Sequence, residues 1–355
     1  MTPFDTPRGM ADRTPAAGTA DSTAPRATTG EAPATTHWAR IGESTFAGGL
    51  WLLYLIYRLL GRLPFRLCLY PVVVYYWATR RVARHASQEY LERLEAACGV
   101  FALHGHAPGL RHSLRHFLVF AEVILDKLLL SAGRYRAPVT CQGHQALLDG
   151  LRQGRGAILV TAHIGCIELC RTLAEQQPEM RLTILVHTRH AERFNRLLRR
   201  HAPHAQVQLM QVTAFDVATA MLLSSRVAQG ECIAIAGDRV PVHGGKITHA
   251  SFLGHAAPFP AGPYIMAAVL KCPLYFMGCI HDGAGYAVRF VRLADSVALP
   301  RGQRDDALAH YAGLFATQLE TCLASAPYDW FNFFPFWTQD RATPLAPLSS
   351  EQTDS

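Results

Sequence analysis

A mixed α/β fold, with a mostly parallel central sheet and helices on both of its faces, is predicted by three features of this 355-residue sequence. Short apolar runs of strand length recur at 139–143, 156–162, 182–187, 207–210 and 231–239, the last ending in a polar pair. Between them lie stretches whose apolar residues fall three or four apart, the spacing of a helix with one buried face. Strands that alternate with helices in this way lie parallel, because each return crossover is itself a helix. Half of the residues are hydrophobic, enough for a sizeable core in one large domain or two small ones.

Residues 1–36 carry Thr, Ala, Pro, Gly, Ser and Asp with almost no large apolar side chains, so a disordered tail without a signal-peptide pattern is expected. Residues 37–85 are expected to form membrane-associated helices. Phe46 to Tyr57 and Leu67 to Ala78 are strongly apolar, are joined near Gly61 and Pro64, and each falls short of the roughly 20 residues that cross a bilayer. Their tryptophans and tyrosines, with Arg58, Arg62, Arg66, Arg80, Arg81 and Arg84, suit an interfacial hairpin on an anionic leaflet. A hairpin buried in the core, or one tilted span with a snorkelling Arg58, are the alternatives.

The main domain is expected over 86–338, with a polar tail at 339–355. Ala86 to Cys98 and Ser113 to Ser131 read as helices, and His112 and His116, lacking the acid of an H-E-x-x-H motif, as solvated or capping residues. A strand at Val139 precedes a helix to Leu151. The strand from Leu182 to His187 runs into a basic helix start, Thr188 to Leu198, and a helix from Phe215 to Val227 follows the strand at Val207. Further on come a strand from Ile247 to Leu253, a rigid loop from Gly254 to Pro263 and a helix to Leu270. Strands from Leu274 to Ile280 and from Tyr286 to Leu293, then a helix from Asp305 to Ser325, lead to the aromatic run Tyr328 to Trp337.

The chain's chemistry is expected where the run Gly156 to Ala162 stops at His163, with Glu168 five residues later. Helical neighbours on one face are three or four apart, so the two side chains can meet only if His163 lies in the turn before the helix. There a carboxylate would fix the imidazole tautomer and steady the imidazolium, as an orienting acid does for a general base. Arg189 and the pair Asp238 and Arg239 follow two other strands, so three polar groups converge on one sheet edge, where open α/β sheets bind ligands. Arginines beside a histidine base suit an anionic substrate.

Only 17% of residues are charged, low for a soluble enzyme, and the net charge of +7 suits anionic lipid, phosphorylated substrates or nucleic acid. The aromatics sit among aliphatic residues rather than on a basic face, which favours lipid, and no nucleic-acid partner is expected. The nine scattered cysteines read as buried thiols in a reducing compartment. Cys166 and Cys170 lack a companion pair at zinc spacing, so no metal is expected. There is no G-x-S-x-G elbow, no G-x-x-x-x-G-K-[ST] phosphate loop and no G-x-G-x-x-G after a strand.

On these residues the chain resembles the lysophospholipid acyltransferase superfamily. It is nearest to the late acyltransferases of lipid A biosynthesis and to the predicted acyltransferases of bacterial lipid and aryl polyene clusters. The likeness runs from Trp38 to Trp337. It is carried by His163 to Glu168 as the H-x4-[DE] box, Arg189 to Asn195, Ala236 to Arg239, and Phe252 to Gly254 with Pro258 to Pro263. It implies an enzyme at the cytoplasmic face of the inner membrane, peripheral or anchored by the hairpin. Such an enzyme moves a fatty acyl chain from an acyl-carrier-protein (ACP) or coenzyme A thioester to a hydroxyl or amine of a membrane lipid, with no cofactor. It implies His163 as general base held by Glu168, with Arg189, Asn195, Asp238 and Arg239 placing substrate. A non-catalytic lipid-binding protein and a thioesterase are the alternatives. The chain departs from the lipid A enzymes at Gly237-Asp238-Arg239 and in the aromatic stretch Trp330 to Trp337, where they carry a basic segment. That departure favours the predicted-acyltransferase branch.

Overall fold

The computed structural model describes residues 55–102, 106–175, 179–186, 207–211, 217–241 and 245–341. The expected tail at 1–36, most of the first hairpin helix, the basic helix with Arg189 and Asn195, and the tail from 342 lie outside them.

Residues 55–60 are helical, and Gly61, at φ 87°, separates them from helix α1 (Arg62–Thr79). Helices α2 (Arg81–Cys98) and α3 (Leu110–Ser131) follow. α1 lays Phe65 and Leu69 on Ala121, Leu125 and Leu129 of α3. Arg66 and Tyr70 both bond the Glu122 carboxylate of α3, at 2.7 Å each. The outer face of α1 is also apolar and, among the described residues, is covered by none, with Leu63 73% and Leu67 75% exposed. Among the described residues, α1 is therefore buried on one side only. Among the described residues, no helix is long and apolar enough to cross a membrane.

The remaining elements are β1 (Val139–Gln142), α4 (Gln145–Arg152), β2 (Ala157–Thr161), α5 (Glu168–Glu175), β3 (Arg181–Val186), β4 (Val207–Gln211), α6 (Val217–Ala228) and β5 (Glu231–Ala236). Then come β6 (Ile247–Phe252), β7 (His255–Pro260), α7 (Gly262–Leu270), β8 (Leu274–Asp282), β9 (Gly285–Ala294), α8 (Arg304–Ser325) and a closing 3-10 helix (Phe336–Arg341). Seven strands form one sheet in the order β1-β9-β8-β2-β5-β3-β4. Every neighbouring pair is parallel except the hairpin of β8 and β9.

Alternation along the strands sends side chains to opposite sides of the sheet. Leu159, Cys232, Met277 and Cys279 pack with α3, α4 and α5, whereas Ile158, Val160, Ile233 and Phe276 pack with α2, α6, α7 and α8. The central strand β2 is buried at all five positions, as expected of a strand covered on both faces.

Three local expectations are corrected. The loop expected from Gly254 to Pro263 contains β7, paired antiparallel with β6 so that Pro258 lies opposite His249 and Pro260 opposite Ile247. Prolines are tolerated because this two-stranded ribbon stands apart from the large sheet and consists of edges alone. His116 is neither solvated nor a cap but fully buried between Ser87 and the Trp330 carbonyl. Of the nine free cysteines, Cys68 and Cys98 are exposed rather than buried, because they fall on the outer sides of α1 and α2.

Candidate active site

β2 ends at Thr161, and α5 begins at Glu168, so His163 lies in the turn between strand and helix. Gly165 shapes that turn with φ 51°, and a Cβ there would collide with the Cys279 carbonyl oxygen of β8. The close approach that makes glycine necessary is thus to the neighbouring strand. A stretch after α8 seals the other side. Phe331 N–H donates to the His163 carbonyl at 2.9 Å, Gly165 N–H donates to the Asp329 carbonyl at 2.8 Å, and Ile164 bridges Trp330.

Asp238, just beyond β5, holds His163 at two points. Its Oδ2 accepts the His163 backbone N–H at 2.8 Å, and its Oδ1 meets the ring Nδ1 at 2.8 Å. The Trp330 indole N–H donates to the same Oδ2 at 3.0 Å. Burial alone would raise the Asp238 carboxyl, but the His163 contacts and the Arg239 guanidinium outweigh it and bring the group down to about 2. An ionised carboxylate only accepts, so Nδ1 carries the ring proton and Nε2 keeps its lone pair. Burial and the Arg239 charge outweigh Asp238 and lower the imidazole below its ordinary value, which keeps the ring neutral at pH 7. The His163 side chain is 38% exposed, and among the described residues no protein group bonds its Nε2.

The contact expected between His163 and Glu168 is not formed. Glu168 starts α5 and turns to Lys127 of α3, with its Oε1 3.2 Å from Nζ, while its buried Oε2 has no partner among the described residues. The physical reason is reach: Asp238 approaches from the adjoining strand and takes both the ring and the backbone donor of His163. Arg239 stacks over Phe334, with its guanidinium carbon 5.7 Å from the ring centre. Arg189 and Asn195 lie outside the described residues. Cys166, three residues past the histidine, is buried and its thiol is held far above the ordinary range by desolvation, so it does not offer a thiolate nucleophile. Among the described residues, no group of three His, Cys, Asp or Glu side chains is placed to hold a metal ion.

Sequence reasoning missed a second pair at the same edge. His281, near the C-terminal end of β8, gives its backbone N–H to Asp329 Oδ2 at 2.5 Å, and its Nδ1 lies 2.7 Å from Asp329 Oδ1. Its signal was the one that marked His163, a histidine closing an apolar strand, but Asp329 sits alone in an aromatic run. The aromatic run is itself structural: Trp330 is fully buried against Tyr90, Phe252 and Phe336. His116 braces it by donating Nε2–H to the Trp330 carbonyl at 2.8 Å, and burial lowers that imidazole to about 4.

The family model for bacterial lipid A biosynthesis acyltransferases matches residues 45–339. No curated protein matches the chain.

Proposed function

The chain belongs to the bacterial lipid A biosynthesis acyltransferase family, and on that premise we propose that it carries a fatty acyl chain from an ACP or coenzyme A thioester directly to a hydroxyl or amine of a membrane lipid. Acyl transfer to a lipid is the activity the family implies. The observation that carries the finer reading is the neutral imidazole of His163, oriented by buried Asp238, with its Nε2 lone pair uncommitted.

A thioester is already activated, so the enzyme's tasks are to deprotonate the acceptor, align it and stabilise an oxyanion. His163 Nε2 takes the acceptor proton as the oxygen or nitrogen attacks the carbonyl carbon, and the C–S bond then breaks. Asp238 takes the orienting role assigned in the sequence to Glu168. Glu168, paired with Lys127, contributes to holding the acceptor, together with Arg239, Arg189 and Asn195. The N–H groups of Ile167 and Glu168, at the start of α5, serve the oxyanion.

The half-buried α1 supports a membrane-associated segment over 37–85 ahead of an acyltransferase domain at 86–338. Its bare leucines lie on the cytoplasmic leaflet of the inner membrane, and the hollow lined by Tyr57, Arg58, Arg134 and Arg136 meets anionic headgroups. The buried aromatics from Trp330 to Trp337, where lipid A enzymes carry a basic segment, favour an acceptor with few phosphates.

Full-length protein with bacterial polar-lipid vesicles and lauroyl-ACP or lauroyl-coenzyme A should yield acylated lipid by mass spectrometry. His163→Ala should remove that product while melting temperature and vesicle binding persist. Full activity in that variant would sink the assignment, and free laurate without acylated lipid would transfer it to the thioesterase reading.

A further inference from the structure

His281 and Asp329 repeat the hydrogen-bonding plan of His163 and Asp238, with one carboxylate clasping both the backbone N–H and the Nδ1 of a histidine. Both pairs stand at the C-terminal edge of adjoining strands. Thr161 is level with Met277, so His281 projects two positions farther out than His163, about 6.6 Å of strand rise. His281 shares the strand face of Met277 and Cys279, the side covered by α3, and its ring lies 4.3 Å from that of Tyr286. α3 faces both histidines: Tyr286 donates to Asp126 at 3.0 Å, and Lys127 of the same helix adds its charge beside His163. The His281 side chain is 34% exposed, and no described protein group bonds its Nε2.

Two histidines, each with one nitrogen clasped and the other open, suit a reaction that removes one proton and supplies another. We propose that His281, positioned by Asp329, is the acid that protonates the departing thiolate while His163 takes the acceptor's proton. This rests on the acyl-transfer reading. As the acceptor oxygen or nitrogen bonds the carbonyl carbon, its proton passes to His163 Nε2. As the C–S bond breaks, its electron pair stays on sulfur, which takes the Nε2 proton of His281. Water then returns the proton from one ring to the other.

The surroundings agree with these assignments. Burial disfavours the His281 cation, but Asp329, with Asp126 and Glu122 of α3 adding to it, outweighs that and raises the ring above its ordinary value. Next to His163, Arg239 and Lys127 push the other way. Environments that separate two like groups in this manner mark an acid and a base.

The test is the leaving group. Full-length wild type and His281→Gln are compared in single turnover on bacterial polar-lipid vesicles. The donors are lauroyl-coenzyme A, lauroyl-ACP and the lauroyl thioester of 4-nitrothiophenol, whose thiolate leaves without a proton. The variant should lose about 10²-fold in rate with the two alkyl thioesters, as expected for loss of a general acid, and should stay near wild type with the aryl thioester. Asp329→Asn should show the same donor dependence, weaker, with melting temperature read for both variants. An equal loss with all donors, or none with any, overturns the role of His281. A wild type that acylates no lipid from any donor overturns the acyl-transfer reading itself, and the inference with it.

Discussion

The corner of the sheet at His163 and the corner at His281 share one plan of hydrogen bonds and differ in the charges around it. At the first, the clasping carboxylate is shared with an indole and faced by Arg239. At the second, it is reinforced by the carboxylates of Asp126 and Glu122. A histidine–aspartate pair is therefore not a device with one outcome. The same geometry yields a ring whose pKa is lowered or one whose pKa is raised, according to which charges the neighbouring elements bring.

The sharpest way to break this contrast is at the carboxylates. Asp238→Asn keeps the shape but places an amide N–H toward a donor and frees the imidazole tautomer, so turnover should fall by about 10³–10⁴-fold, the scale of losing an orienting aspartate. Glu168→Gln breaks an ion pair with Lys127 that is partly solvated, and should cost about tenfold or less. Steady-state kinetics that reversed this ranking would return the orienting role to Glu168.

A pH profile separates the two corners next. As the proposed base, His163 would act unprotonated, and its pKa is lowered, so the acid limb should lie below its ordinary ~6.5. As the proposed acid, His281 would act protonated, and its pKa is raised, so activity should fall on an alkaline limb above ~6.5. Asp238, at about 2, stays ionised between those limbs. His281→Gln should remove the alkaline limb alone when the donor is an alkyl thioester.

The smallest effect on chemistry belongs to the exposed leucines of α1. Leu63→Asp with Leu67→Asp should weaken partitioning onto vesicles by about tenfold or more, from the apolar area returned to water. Both side chains are exposed, so melting temperature should barely move, and the rate of acyl transfer per vesicle-bound molecule should be unaltered.

The sheet was legible because buried parallel strands are continuous apolar runs, and β2, β3, β5 and β8 fall where those runs lie. The position of His163 in a turn before a helix followed from the spacing to Glu168. Its partner did not, because whether Asp238 or Glu168 reaches the ring depends on two strands lying side by side, a relation that no local pattern encodes. β7 was hidden by Pro258 and Pro260, which normally exclude a strand and are tolerated here on a ribbon with no interior. His116 looked solvated because its polar neighbours, Ser87 and the Trp330 carbonyl, come from 29 and 214 residues away.

Asp329 and Trp330 are consecutive residues, yet one clasps His281 and the other bonds Asp238. During synthesis every strand of the sheet is made before them, and the ribosome must release the aromatic stretch that follows α8 before either histidine has its full set of partners. The nascent protein thus carries α1 and the whole sheet long before either corner is complete, and both corners gain their last partners in a single closing step.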